Sequence, residues 1–211
     1  MPGDVQTRQL RSDAARNRDR VLAAASELFG SVGVRAGIED IARLAGVGVG
    51  TVCRNFPTKE ALVAAVLNSR KLELLAEARA SLAAPDPGAA FEQFLSVFAD
   101  YVAAHRALAE GIAAEPNPGK DDRVRQELQR ALSALVQRAQ AVGTVRADVG
   151  PADVAVLMSG VAHAAIVAGS HDPQLRDRFI RIVLDGLRPV DPSPLPGTAI
   201  EFAALDAMRR K

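Results

Sequence analysis

Apolar residues recur along almost the whole chain at helical spacing and almost nowhere with the alternation of a strand, which predicts an all-α protein. The first clear stripe is Val21, Leu22, Ala25, Leu28, Phe29 and Val32, one continuous face, and it predicts a helix over 14–31 that Gly33 ends. A short helix over 38–45 carries Glu39 and Asp40 in its first turn, where carboxylates meet the positive end of the helix dipole; Gly46 closes it. After the turn of Gly46, Val47 and Gly48 comes a helix of barely two turns, 49–55, stopped by Phe56 and Pro57. Thr58 then offers its hydroxyl to the unpaired N–H groups of a long helix over 58–83. Its apolar positions Leu62, Val66, Leu67, Leu74, Leu75, Ala78 and Leu82 mark it as a connector.

Beyond Pro85 and Pro87 the pattern predicts helices over 88–104, 105–114, 120–142, 151–168 and 172–187, divided by Gly/Pro-rich or polar breaks. Four prolines within 189–197 describe an extended linker, and a last, weakly held helix over 199–210 follows. The resulting organisation is a basic arm over 1–13, a three-helix unit over 14–60, a larger helical unit over 61–188 and a tail over 189–211.

Composition narrows the function classes. With 48% hydrophobic residues in 211, the chain can bury a core without staples, and its one cysteine, Cys53, excludes an internal disulfide and suits a reducing compartment. Cys53 is read as inert rather than as a thiol sensor. The longest run without Asp, Glu, Lys or Arg, 154–170, holds two glycines, two serines and His163. It is shorter and more polar than the roughly 20 apolar residues of a membrane span, so no membrane partner is expected. A net charge of +1 means that nucleic-acid contact has to come from local clusters such as Arg8, Arg11, Arg16, Arg18 and Arg20. No nucleophile elbow, Walker loop or dinucleotide loop is present, and His105, His163 and His171 lack metal-ligand spacing, so no enzyme activity, cofactor or metal is expected.

The chemistry lies in the early helices. A helix, a glycine turn and a second short helix, held by a preceding one, form the frame that places one helix in the major groove. Ile38, Ile41, Ala42, Ala45, Val47, Val52 and Phe56 can meet the first helix in a small core, which leaves Val49, Gly50, Thr51 and Arg54 facing outward. Thr51 can donate to a phosphate, Arg54 to a guanine edge or a phosphate, and Val49 can touch a thymine methyl; Asn55 adds base-reading capacity and Lys59 a phosphate contact. The same frame occurs in domains that never touch DNA. The competing reading is therefore a helical small-molecule-binding or interaction protein, favoured by the nonpolar run of Gly48, Val49 and Gly50.

The segment AGVGVGTVCRNFPTKEAL from Ala45, preceded by IEDIARL from Ile38 and NRDRVLAAASELFGSVG from Asn17, resembles the TetR family of transcriptional regulators. Cys53 stands where that family usually has tyrosine, and Gly37 where it usually has a Thr or Ser N-cap. Further on, VRADVGPADVAVLMSGVAHA and RFIRIVLDGLRP look like the last two helices of one large subgroup, which pair across a two-fold axis. The resemblance implies a cytoplasmic, homodimeric repressor, released from palindromic double-stranded DNA by a small, largely apolar effector. It also implies a cavity among the central helices, for which Phe94, Phe98, Tyr101 and His105 are candidate lining residues. Val161, Ala165, Phe179 and Val183 are candidate dimer-interface residues.

Overall fold

Among the residues described by the computed structural model, 3–110, 122–167 and 173–209, every regular element is helical; side chains are described over 13–104, at 108, and over 123–164 and 174–208. The elements are α1 (Gly3–Val32), a 3-10 turn at Gly33–Arg35, α2 (Ile38–Ala45), α3 (Val49–Asn55), α4 (Lys59–Ala83), α5 (Pro87–Glu110), α6 (Asp122–Ala141), α7 (Pro151–Val167), α8 (Pro173–Leu187) and α9 (Phe202–Arg209). The chain divides into two compact units. One runs to Arg70 and takes in the end of α5 from Ala107; the other comprises Lys71 to Arg106 and the chain from α6 onward.

The first unit is built around the stripe of α1. Val21, Ala24, Ala25 and Phe29 are buried with Ile41, Ala42 and Ala45 of α2, Val52 of α3, Phe56, and Leu62, Val63, Val66 and Leu67 of α4. Ile38 and Val47 pack against this core half-buried. Arg70 ties α4 to α1, donating from Nε to Ser26 Oγ at 2.9 Å and from Nη2 to the Ser26 carbonyl at 2.9 Å.

The second unit buries Leu74, Leu75 and Ala78 of α4 with Phe91, Phe94 and Leu95 of α5, Leu132, Leu135 and Val136 of α6, Val154 and Met158 of α7, and Ile180, Leu184 and Leu187 of α8. Burying so many Leu, Val and Phe side chains, each contributing about 1.5–3 kcal/mol, is what holds the unit together. Polar groups finish the helix ends. Gln140 Nε2 donates to the carbonyls of Arg146 and Val149 at 3.0 and 2.9 Å, which fixes the turn between α6 and α7.

Two boundaries and the docking of the tail differ from the sequence reading. Helix α1 starts at Gly3 rather than near residue 14, so the segment expected as an arm is the beginning of a helix; nothing between Asp4 and Phe29 is Gly or Pro, and no residue there interrupts the hydrogen-bond ladder. Helix α5 runs unbroken through the division expected at His105 to Glu110, again with no Gly or Pro to stop it and with Leu108 continuing the buried face. The expected end of that second helix, to residue 114, lies outside the described residues. The third difference is the tail. Helix α9 is docked rather than weakly held: Arg125 pairs with Asp206 at 2.5 Å, Gln129 donates to the same carboxylate at 3.1 Å, and Phe202 packs on the core. Ahead of it Arg146 Nη2 donates to the Ser193 carbonyl at 2.6 Å, and the Ile200 N–H to Asp153 Oδ1 at 3.3 Å.

Candidate functional site

Two glycines set the direction of α3. Gly46 ends α2 in the left-handed region (φ 63°, ψ 39°), where its N–H reaches the carbonyls of Ala42 and Arg43, a conformation that costs a residue with a Cβ about 1–2 kcal/mol. Gly48 then opens α3 in extended backbone, without a side-chain cap. Val52 is fully buried and Phe56 nearly so, and the Arg18 guanidinium lies 5.1 Å from the centre of the Phe56 ring. With Val52 and Phe56 turned inward, the 3.6-residue repeat turns Val49 (43% exposed), Gly50, Cys53 and Arg54 to solvent, with Thr51 and Asn55 half-buried.

Arg54 and Asn55 lie back along their own helix. Arg54 Nε donates to the Gly50 carbonyl at 3.0 Å and Asn55 Nδ2 to the Thr51 carbonyl at 2.8 Å. Thr58 accepts the Ala61 N–H at 3.1 Å as N-cap of α4, which places Lys59, half-buried, at the first helical position. Among the described residues no carboxylate lies within ion-pair distance of Arg54 or Lys59, whereas Arg43 is paired with Asp40 and Arg16 with Asp13.

The second unit encloses a cavity of about 470 Å³. Leu74, Phe94, Phe98, Val102, Leu128, Leu132, Ala155, Phe202 and Leu205 form its apolar lining, and Lys71, Tyr101, Arg125, Gln129 and Ser159 its polar one. Phe94 and Phe98 stack with ring centres 5.9 Å apart, nearly parallel. The structure therefore gathers Phe94, Phe98 and Tyr101 at one site, while the side chain of His105 lies outside the described residues.

Of the four residues considered for an interface, Val161 is 7% exposed within the core, Phe179 and Val183 pack half-buried against it, and the side chain of Ala165 lies outside the described residues. Among the described side chains of α7 and α8, the large apolar ones that are exposed are Val156, Leu157 and Ile182. Among the described residues no group of His, Cys, Asp and Glu is placed to hold a metal ion, and no helix is long and apolar enough to cross a membrane.

Residues 21–66, which contain α2, α3 and most of the core of the first unit, match the model of the bacterial regulatory proteins of the tetR family, and residues 86–189 match the C-terminal domain of SbtR-like transcriptional regulators. A TetR transcriptional regulator from Streptomyces coelicolor is 37% identical, with 82% of this chain and 99% of that one covered and a TM-score of 0.67. The chain belongs to the TetR family. A second relative, from Mycobacterium vanbaalenii, is 38% identical over 85% of this chain and 99% of that one, with a TM-score of 0.63. The TetR-family regulator PfmR from Thermus thermophilus, at 20% identity, a TM-score of 0.56 and coverage of 82% and 100%, shares the fold. No curated protein matches the sequence. As a TetR-family regulator the chain is a non-enzymatic, DNA-binding transcription factor.

Within this TetR-family chain the sequence reading missed the polar lining of the cavity apart from Tyr101. Lys71, Arg125, Gln129 and Ser159 sit on three different helices, and in isolation each looks like an ordinary polar helix residue. Phe202 and Leu205 were missed with them; their i, i+3 spacing beside Asp206 is the one local signal that α9 has an apolar face to bury.

Proposed function

We propose that the chain is a homodimeric repressor that holds a palindromic operator through paired α3 helices and leaves it when a small, largely apolar effector fills the cavity of the second unit. The observation that carries the reading is the outward set on α3: Val49, Gly50, Thr51 and Arg54 are presented together, with Asn55 and Lys59 beside them, because Val52 and Phe56 are anchored in the core. Two-fold symmetry would set the recognition helices about 34–36 Å apart, one turn of DNA, or a multiple of that. The exposed apolar residues Val156, Leu157 and Ile182 are the surface that a second copy would cover. Helix α4 contributes Leu62 and Val66 to one core and Leu74 and Ala78 to the other, which makes it the element through which effector binding would favour a dimer of the wrong spacing.

The deciding experiment is a mobility shift on the protein's own promoter region, repeated on genomically selected sites, for wild type and an Arg54→Ala, Lys59→Ala double variant over a range of salt. Each phosphate contact contributes a slope of about −0.9 to log K against log salt, so the double variant is expected to bind more weakly and with a slope shallower by roughly two. A wild-type protein that binds no selected site, or binds with no salt dependence, would favour the helical interaction protein instead. An identified effector that binds without changing operator affinity would refute the linkage.

A further inference from the structure

Helix α9 brings a carboxylate to two residues of the cavity wall. Asp206 Oδ1 lies 2.5 Å from Arg125 Nη1, and Oδ2 accepts from Gln129 Nε2 at 3.1 Å. The Asp206 side chain is only 13% exposed, and its Oδ1 is buried with the charge of Arg125 beside it but without a well-directed hydrogen bond. One and four residues earlier on the same helix, Leu205 and Phe202 line the cavity. Among the described residues the cavity lining includes two cations, Lys71 and Arg125, and no carboxylate, beside an apolar interior that includes the stacked pair Phe94 and Phe98. Segment 189–197, which leads to α9, is exposed and proline-rich, and the bonds from Arg146 to the Ser193 carbonyl and from the Ile200 N–H to Asp153 anchor the chain ahead of α9, so release can be confined to 202–209.

We infer that the cavity takes an amphipathic organic anion whose head group binds Arg125 and Gln129 and whose apolar body lies along Phe94 and Phe98, with Asp206 of α9 as a built-in competitor for that head group. This rests on the reading of the cavity as the effector site. A guanidinium with a neighbouring amide suits a carboxylate because charge-assisted hydrogen bonds offset the cost of taking the anion out of water, and Asp206 already occupies that arrangement. A ligand carboxylate therefore has to displace Asp206, and its apparent affinity is lowered by the fraction of time that α9 is docked. The chain thereby reports on the ligand by releasing its own C-terminal helix.

The test uses decanoate and decanol as probes of equal chain length, titrated calorimetrically into the full-length protein. Wild type is expected to prefer decanoate; Asp206→Asn should bind decanoate more tightly, by roughly tenfold for a competitor that leaves the site open about a tenth of the time, with decanol unchanged. Arg125→Gln should lose the preference for decanoate. Saturating decanoate, but not decanol, should also speed amide hydrogen exchange over 202–209 in wild type, a response that mere charge removal would not produce. Decanoate affinity unchanged or weakened in Asp206→Asn, or exchange over 202–209 unaffected by decanoate, would overturn the inference. Decanol binding equal to decanoate in all three proteins would overturn it while leaving an apolar effector site standing. Binding of neither probe to any of them would overturn both.

Discussion

The guanidinium of Arg20, on α1, donates from Nη2 to the carbonyl of Gly46 at 3.0 Å, across 26 residues of sequence. Gly46 is the residue that turns the chain from α2 into α3, so one hydrogen bond fastens the pivot of α3, the helix proposed to read DNA, to the helix it packs on. The same closeness constrains Gly46 twice. Its φ of 63° disfavours a side chain, and a Cβ there would collide with Arg20 Nη2.

Arg20→Met is therefore expected to lower stability by about 1 kcal/mol, the loss of one charged hydrogen bond at an exposed site. Gly46→Ala should cost about 2 kcal/mol, from backbone strain and from the Arg20 hydrogen bond lost as the guanidinium swings clear of the new Cβ. The double variant should cost less than the sum, because the methionine removes the group that the new Cβ meets. Denaturant unfolding of the three variants measures this; strict additivity would separate the two residues.

Arg138 closes the end of α4. From α6 it donates to the carbonyls of Ser81 at 3.4 Å, Leu82, and Ala84 at 3.1 Å, where the intrahelical donors run out; the Ser81 carbonyl also accepts the Ala84 N–H at 3.3 Å. Arg138→Met keeps the apolar stem and removes the donors, and should cost about 2 kcal/mol in thermal unfolding. A change within about 0.5 kcal/mol would mean that water replaces the guanidinium at no loss.

Asp148 supplies a pH dependence. Hydrogen bonds from Arg146, at 2.6 and 2.7 Å, hold its carboxyl below the usual carboxylate range, with burial acting the other way. The native state thus binds this proton less readily than the unfolded chain. The stabilisation is complete above the unfolded value, near pH 4, and is lost as pH falls through the folded one. Asp148→Asn should be less stable than wild type at neutral pH and should lose less stability on acidification below about pH 4. Parallel curves for the two proteins would refute the assignment.

Val161 and Ile182 separate folding from association. At 7% exposed, Val161 sits in the core, and Val161→Asp should cost at least about 3 kcal/mol by burying an unpaired charge. Ile182 is 56% exposed, so Ile182→Asp should fold normally while lowering the sedimentation-derived association constant and operator affinity together. An Ile182→Asp protein that self-associates like wild type would remove this face from the dimer.

The helices of the first unit were legible in the sequence because each is specified by neighbours. The stripe from Val21 to Val32 marks the face of α1, Gly46 and Thr58 mark ends through backbone geometry and a hydroxyl three residues away, and burial of Val52 and Phe56 turns Val49, Gly50 and Arg54 outward by helical period alone. Helix starts without such signals were misplaced. Residues 3–13 carry no apolar stripe, so nothing local distinguishes helix from arm there, and α5 continues past His105 simply because nothing stops it.

Local pattern therefore determined the helical class, the glycine turn, the order of the elements and the outward set on α3, since all of these depend on residues one to four positions apart. Only the tertiary structure decided that Arg20 meets Gly46, that Val161 faces the core while Ile182 faces solvent, and that Asp206 reaches Gln129 across 77 residues to bring α9 to the cavity. Those contacts join side chains from helices far apart in sequence. Their energies arise only once packing has brought the partners together and removed the water between them.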